Sequence, residues 1–203
     1  MYVLAPNQII KKFPYSINDL KKNNPDTSFP RNPSLEMLAS WNVFPVVSTG
    51  VQYDPATQVA TKEGCEFNTT LNRWETSWTV RDKTQEELDM DFANAKESKR
   101  NEIRTDFESV ENDPVEVNSL FWNGGYESAQ KLDGAKRMAE MLSQTSVTFY
   151  DVDNIGHSLT TPEAEVIITT IGIDYQTKFA NKQAKMVAID NATTLEELDG
   201  IVW

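Results

Sequence analysis

At 203 residues and 23.0 kDa the chain has room for one ordinary domain or two small ones, which excludes a large multidomain enzyme. Nineteen basic against 31 acidic side chains leave a net charge of −12, which opposes a partner held through phosphates, while 39% apolar residues with five tryptophans suffice for a folded core. One cysteine, Cys65, and one histidine, His157, exclude an internal disulfide and every metal or triad scheme that needs two imidazoles or a thiolate pair.

The opening residues, Met1 to Ile10, lack a basic segment ahead of a long apolar core, so no export signal is expected. No apolar run approaches the roughly 20 residues of a membrane helix, and a soluble chain without membrane insertion is expected. Seven of the nine prolines (Pro6, Pro14, Pro25, Pro30, Pro33, Pro45, Pro55) precede residue 60, which predicts a first unit built from short pieces. Residues 1–83 are near charge balance at +1, whereas 84–112 carry −5 and 113–203 carry −8. That step, with the loss of proline, predicts three segments: an N-terminal docking unit over 1–83, a long connecting helix over 84–112 and a C-terminal α+β unit over 113–203.

Within the first segment, Ser16 ahead of Ile17 and Leu20, and Ser34 ahead of Leu35, Met37 and Leu38, read as N-caps of two short helices. Trp74 to Val80 alternates strictly, with Trp74, Thr76, Trp78 and Val80 on one face, and predicts a half-buried strand. Gln58 to Phe67 is its expected antiparallel partner through the polar turn Asn68 to Asn72, leaving Trp74 and Trp78 to cap a small core.

Thr84 with Glu87 three residues on forms a capping box that opens a helix over 84–111. Its apolar positions, Leu88, Phe92, Ala95, Ile103, Phe107 and Val110, recur near every 3.5 residues with an interruption at Lys99. This narrow stripe suits either an exposed connector packed at its two ends or an oligomeric coiled coil, and these six residues are the candidate assembly contacts.

Beyond Pro114, Val115 to Trp122 is a further alternating segment and Asn123-Gly124-Gly125 a turn. A helix over 126–144 presents Ala129, Leu132, Ala135, Met138 and Leu142 on one face. A strand through Val147 and Phe149, a turn at Asp153 to Gly156 and a return strand through His157 to Leu159 make a hairpin. Thr161 and Pro162 start a second long helix, whose seam (Ala164, Ile168, Ile171, Tyr175, Phe179, Met186, Ile189) is broken only by Lys182. Thr194 with Glu197 caps a last short helix. The expected fold class is α+β: a small N-terminal β-hairpin unit with short helices, a long connecting helix, and a C-terminal unit of short antiparallel strands packed on helices.

Chemistry is sparse. The best cluster is Asp151, Asp153, His157 and Ser158, yet His157 and Ser158 are adjacent and point to opposite faces of a strand, so they form no base and nucleophile pair. As a calcium loop, Asp151 to Gly156 fails, with Ile155 at position five and Pro162 where a bidentate glutamate belongs. Glu86 with Glu87 and Glu196 with Glu197 are explained by helix capping. Cys65 lacks any thiol or imidazole neighbour in sequence, and the tryptophans lie in apolar-patterned segments where core packing is the commoner use than a glycan platform. The expectation is a protein without enzymatic activity, and with no catalytic residue, cofactor or metal site.

Two stretches carry a resemblance. Tyr15-Ser-Ile-Asn-Asp-Leu20, Asn24-Pro-Asp-Thr-Ser-Phe-Pro30, Trp41-Asn-Val-Phe-Pro-Val46, the Trp74 to Val80 strand and Thr84-Gln-Glu-Glu-Leu88 together look like the N-terminal module of tailed-bacteriophage tail-fibre or fibre-assembly proteins. From Lys99-Arg100 through the Val115 to Trp122 segment and the Asp151 to Leu159 hairpin to Ala192-Thr-Thr-Leu-Glu-Glu-Leu198, the chain is similar to a phage domain known as domain of unknown function 4376. The resemblance brings no catalytic residues. It implies a structural component of a phage tail, in the fibre or baseplate, present in the virion and assembled in the host cytoplasm. Its implied partners are other phage tail or fibre proteins, as a homotrimer or hetero-oligomer, with no nucleic acid. A tail-fibre assembly chaperone not retained in the virion is the alternative, and a receptor- or glycan-binding adhesin a third class.

Overall fold

A computed structural model describes all 203 residues and divides them into two compact units, Met1–Leu88 and Asp89–Trp203. The fold is mixed α+β, with a curled sheet in the first unit and short antiparallel strands packed on helices in the second.

In the first unit, β1 (Tyr2–Leu4) and β2 (Lys12–Tyr15) precede α1 (Ile17–Asn23) and α2 (Leu35–Ser40), followed by β3 (Val43–Val47), β4 (Gln58–Asn68) and β5 (Arg73–Asp82). Both helices are two turns or fewer. Ser16 and Ser34 cap them, their hydroxyls accepting from the backbone N–H of Asp19 at 3.1 Å and Met37 at 3.2 Å. The expected hairpin is β4 and β5, paired from Gln58↔Asp82 to Asn68↔Arg73 with a bulge between Lys62 and Gly64. It is one edge of a five-stranded sheet in the order β2-β1-β3-β5-β4, so the unit holds three strands more than the sequence suggests. These are three to five residues long and two contain proline, too short to show a period.

Pleating puts Val3 on one face of β1, in a cluster with Ala5, Cys65 and Trp74, and Tyr2 and Leu4 on the other, beside Tyr15, Leu20, Leu38 and Val43. Trp74 is fully buried, whereas Trp78 is half-buried and donates its indole N–H to the Thr49 carbonyl at 2.8 Å. The buried Thr76 hydroxyl accepts from the Thr49 backbone N–H at 2.9 Å, so the polar step in this alternating strand is satisfied.

Helix α3 (Gln85–Val110) opens on the expected box, with the Glu87 N–H donating to Thr84 Oγ1 at 3.2 Å and the Thr84 N–H to Glu87 Oε2 at 2.9 Å. From Asp89 onward it belongs to the second unit. Along it Ile103 and Phe107 are buried. Ile103 joins Ile189, Ala192 and Leu198 in a core that Phe92 and Ala95 also border. Phe107 meets the rings of Tyr175, Phe179 and Trp203 at about 6 Å.

The remaining elements are β6 (Val115–Val117), β7 (Leu120–Trp122), α4 (Tyr126–Met141), β8 (Ser146–Tyr150), β9 (Gly156–Thr160), α5 (Thr161–Asn191) and α6 (Leu195–Asp199). The single segment expected over Val115 to Trp122 is two strands. Asn118 and Ser119 adopt positive φ of 52° and 62° and reverse the chain, pairing Val115 with Trp122. Asn118-Ser119 is the turn signal, and the apolar residues on both sides of it mask it.

The face of α4 is displaced from its expected position. Met138 and Leu142 are 60% and 63% exposed and Ala135 is exposed, whereas Ala139 is buried and Lys136 lays its stem inward to pair with Glu165. On α5 the buried residues are Ala164, Ile167, Ile171 and Ile189. Lys182, the break in its seam, places its ammonium 4.4 Å from the Phe107 ring centre and 5.7 Å from that of Phe179, so it continues the contact as a cation over aromatic faces.

The entry to α4 tolerates no side chain. A Cβ on Gly124 would lie 2.0 Å from the Asp113 carbonyl oxygen, and Gly125 has φ of 86°. Gly124→Ala is expected to destabilise the second unit by about 2 kcal/mol, read as a lowered thermal midpoint by circular dichroism.

Candidate functional site

Asp151 and His157, two members of the cluster read from the sequence, are brought into contact by the β8–β9 hairpin. Asp151 Oδ2 lies 2.8 Å from His157 Nε2, while its Oδ1 accepts from the backbone N–H of Asp153 at 3.0 Å and of Ile155 at 2.9 Å. The carboxylate is buried and its pKa is held below 3.8, first by the His157 hydrogen bond and then by the Ile155 N–H. The imidazole also meets the edge of the Trp122 ring, at 5.5 Å between centres. Asp151 thus clamps the turn and aims the histidine.

The other two members of the cluster stand apart from that pair. Asp153 contributes its backbone, and Ser158 is exposed, opposite Thr148 in the ladder, whereas His157 sits opposite Phe149. An oriented imidazole is present; a hydroxyl for it to activate is not assembled beside it. Cys65 is buried, and that burial pushes its thiol pKa up, away from the reactive thiolate. No three His, Cys, Asp or Glu side chains are grouped as metal ligands, and no helix is long and apolar enough to cross a membrane.

A wide concavity lies elsewhere, between α4 and α5. It is an open groove of about 770 Å³ whose walls include Tyr126, Gln130 and Asp133 on one side and Ile173, Tyr175 and Thr177 on the other. The rings of Tyr126 and Tyr175 lie 5.6 Å apart at one end, and beyond them the surface becomes polar, with Glu111, Asn123, Glu127 and Lys131 around a second hollow of about 730 Å³. Tyr126 and Ile173 are 51% and 62% exposed. The concavity is thus an apolar trough ending in aromatic rings and then in charged groups.

Of the six candidate contacts on α3, Ile103 and Phe107 are consumed by the unit's own core, Phe92 and Ala95 border that core, and Leu88 and Val110 are half-buried. None of the groove residues stood out in the sequence as a site. The available signal was the composition of α5, where exposed Val166, Ile173 and Val187 complement the buried Ile167, Ile171 and Ile189.

Residues 94–202, more than half of the chain, match the family described as a domain of unknown function, DUF4376. The chain belongs to that family. No curated protein and no solved structure matches the chain.

The two ends of this description can be measured. Phe107→Ala should cost about 3–5 kcal/mol in urea unfolding of the isolated chain, whereas Met138→Ser, on the exposed side of α4, should stay within about 0.5 kcal/mol. For the Asp151–His157 pair, a folded pKa below the unfolded value means stabilisation that is present above the ordinary carboxylate range and lost as pH falls through the lower folded value. Asp151→Asn should therefore be less stable than the parent at about pH 6, and the difference in urea midpoint should close by about pH 2.

Proposed function

We propose that the protein is a structural component of a bacteriophage tail, in the fibre or baseplate, which works by protein–protein contact and turns over no substrate. The observation that carries this reading is the open apolar groove between α4 and α5 in a unit whose 21 acidic and 10 basic residues give it a net charge of −11. An apolar surface of that size beside so much charge suits a protein partner better than a polyanion or a metabolite. The phage setting rests on the likeness of the first 90 or so residues to tail-fibre and fibre-assembly modules.

A coiled coil through α3 is no part of the proposal, because Ile103 lies in the unit's own core and Phe92 and Ala95 border it. Contacts with other tail proteins are assigned instead to the α4–α5 surface. The tryptophans do not favour a glycan-binding adhesin, since Trp74 and Trp122 are buried and Trp41, Trp78 and Trp203 are partly so.

Mass spectrometry of purified virions of the phage that encodes the chain tests the proposal. Peptides of this protein at a fixed ratio to a known tail protein are expected. Their presence in infected cells but absence from mature particles would make it an assembly chaperone and overturn the structural reading.

A further inference from the structure

We infer that a small hollow at the start of α4 binds the carboxylate of a short organic acid. Its walls are Trp122, Asn123, Ser128, Lys131, Leu132 and Tyr150, and its volume is about 140 Å³. None of these six lines the α4–α5 groove, so the site is separate from the surface assigned above to tail partners. Asn123, Ser128 and Lys131 also border the wider polar hollow, which gives the small one its approach from solvent.

The first observation is a donor with nothing to donate to. Trp122 is 1% exposed, and its indole Nε1–H is buried without a hydrogen-bond partner. Buried indole N–H groups are ordinarily paired. The apolar side chains packed with this ring, among them Val115, Val117, Phe149 and Ile167, offer no acceptor. His157, whose ring centre lies 5.5 Å away, gives its Nε2 to Asp151. The hollow that Trp122 lines is the remaining side from which an acceptor can come.

The second observation is the helix end itself. α4 has 16 residues, and Gly125 stands at its N-cap position with no side chain to cap it. The first amide with a helical acceptor is that of Ala129, which donates to the Gly125 carbonyl at 3.2 Å. The N–H groups of Tyr126, Glu127 and Ser128 precede it, at the end of the helix where the dipole favours negative charge. Ser128, in that first turn, and Asn123, just ahead of it, are walls of the same hollow as the indole.

Charge and size select the ligand class. Lys131 is the one charged residue in the wall, and no carboxylate lines it although the unit carries −11. Glu127 stands outside, in an exposed pair with Lys131 at 3.3 Å that a bound anion can replace at little cost. A neutral indole and an uncapped helix end suit a monoanion, which gives up less hydration than a phosphate dianion. A volume near 140 Å³ takes about six non-hydrogen atoms, the size of a four-carbon acid, and Leu132 with the Trp122 and Tyr150 rings offers its chain apolar walls. This inference does not rest on the tail assignment, which the virion measurement addresses.

Proton–nitrogen NMR of the full chain, with nitrogen-15 in the indoles of its five tryptophans, is the test. The Trp122 signal is assigned through its contact with the His157 ring. Sodium butyrate at constant ionic strength should move that signal downfield and saturably, half-complete at about 1–10 mM, and leave the other indoles in place. Acetate should need about 10-fold more, because it leaves the apolar walls unused. Sodium phosphate and sodium chloride should not move it. Lys131→Gln should weaken the response about 5-fold, and Ser128→Leu, which fills the hollow from its rim, should abolish it while the unmoved signals of the other indoles report a folded chain. A Trp122 signal that ignores butyrate in the folded parent, moves as far with phosphate or chloride, or responds unchanged in folded Ser128→Leu overturns the inference.

Discussion

The second unit has two hairpins, β6–β7 with three residues a strand and β8–β9 with five, and neither is long enough to persist alone. Both are held by the same object, the N-terminal half of α5. Ala164, Ile167 and Ile171 form one core with Val115, Val117, Trp122 and Phe149, and Ala129 and Leu132 of α4 border it. Large rings supplied by the hairpins fill the space, while the helix contributes small and β-branched residues that allow close approach. Two polar devices support this contact. The Thr160–Glu163 capping box starts α5 at the end of β9, and the Asp151 clamp fixes the turn that returns β9 to the core.

The C-terminal half of α5 meets α3 by a different means. Phe107, Tyr175, Phe179 and Trp203 add an aromatic cluster to the aliphatic core of Ile103 and Ile189, and Lys182 closes it with its charge over two ring faces. Arg100 adds a 2.6 Å ion pair to Asp190, and Lys96 donates to the Asp190 carbonyl at 2.9 Å. Both are near the surface and contribute modestly to stability, but they fix where one helix stands along the other.

How far the sequence foretold this depends on the length of the period it could display. α3, α5 and the β4–β5 hairpin each span enough residues for a repeat to show, and all three lie where alternation or helical spacing puts them. β1, β2 and β3 are shorter than a legible repeat, and the partners of β3 are distant in the chain. The α4 face was misassigned because Met138 and Leu142 are apolar but exposed, while Lys136 is charged yet buries its stem. The same bias concealed the α4–α5 groove: once one apolar face of α5 had been assigned to a core, nothing in a single sequence distinguishes a second face from more of the same. His157 with Asp151 was legible as a pair of residue types, and the fold supplied the hydrogen bond that makes them one unit.

Cys65 sits beneath Trp74 in the first unit, the chain's only thiol, sealed from solvent and disinclined to ionise. The polypeptide is consequently silent toward alkylating probes at neutral pH while folded. A cysteine placed at any surface position becomes the sole point of attachment for a fluorophore or spin label, and recovery of native Cys65 reactivity becomes a direct reporter that the first unit has opened.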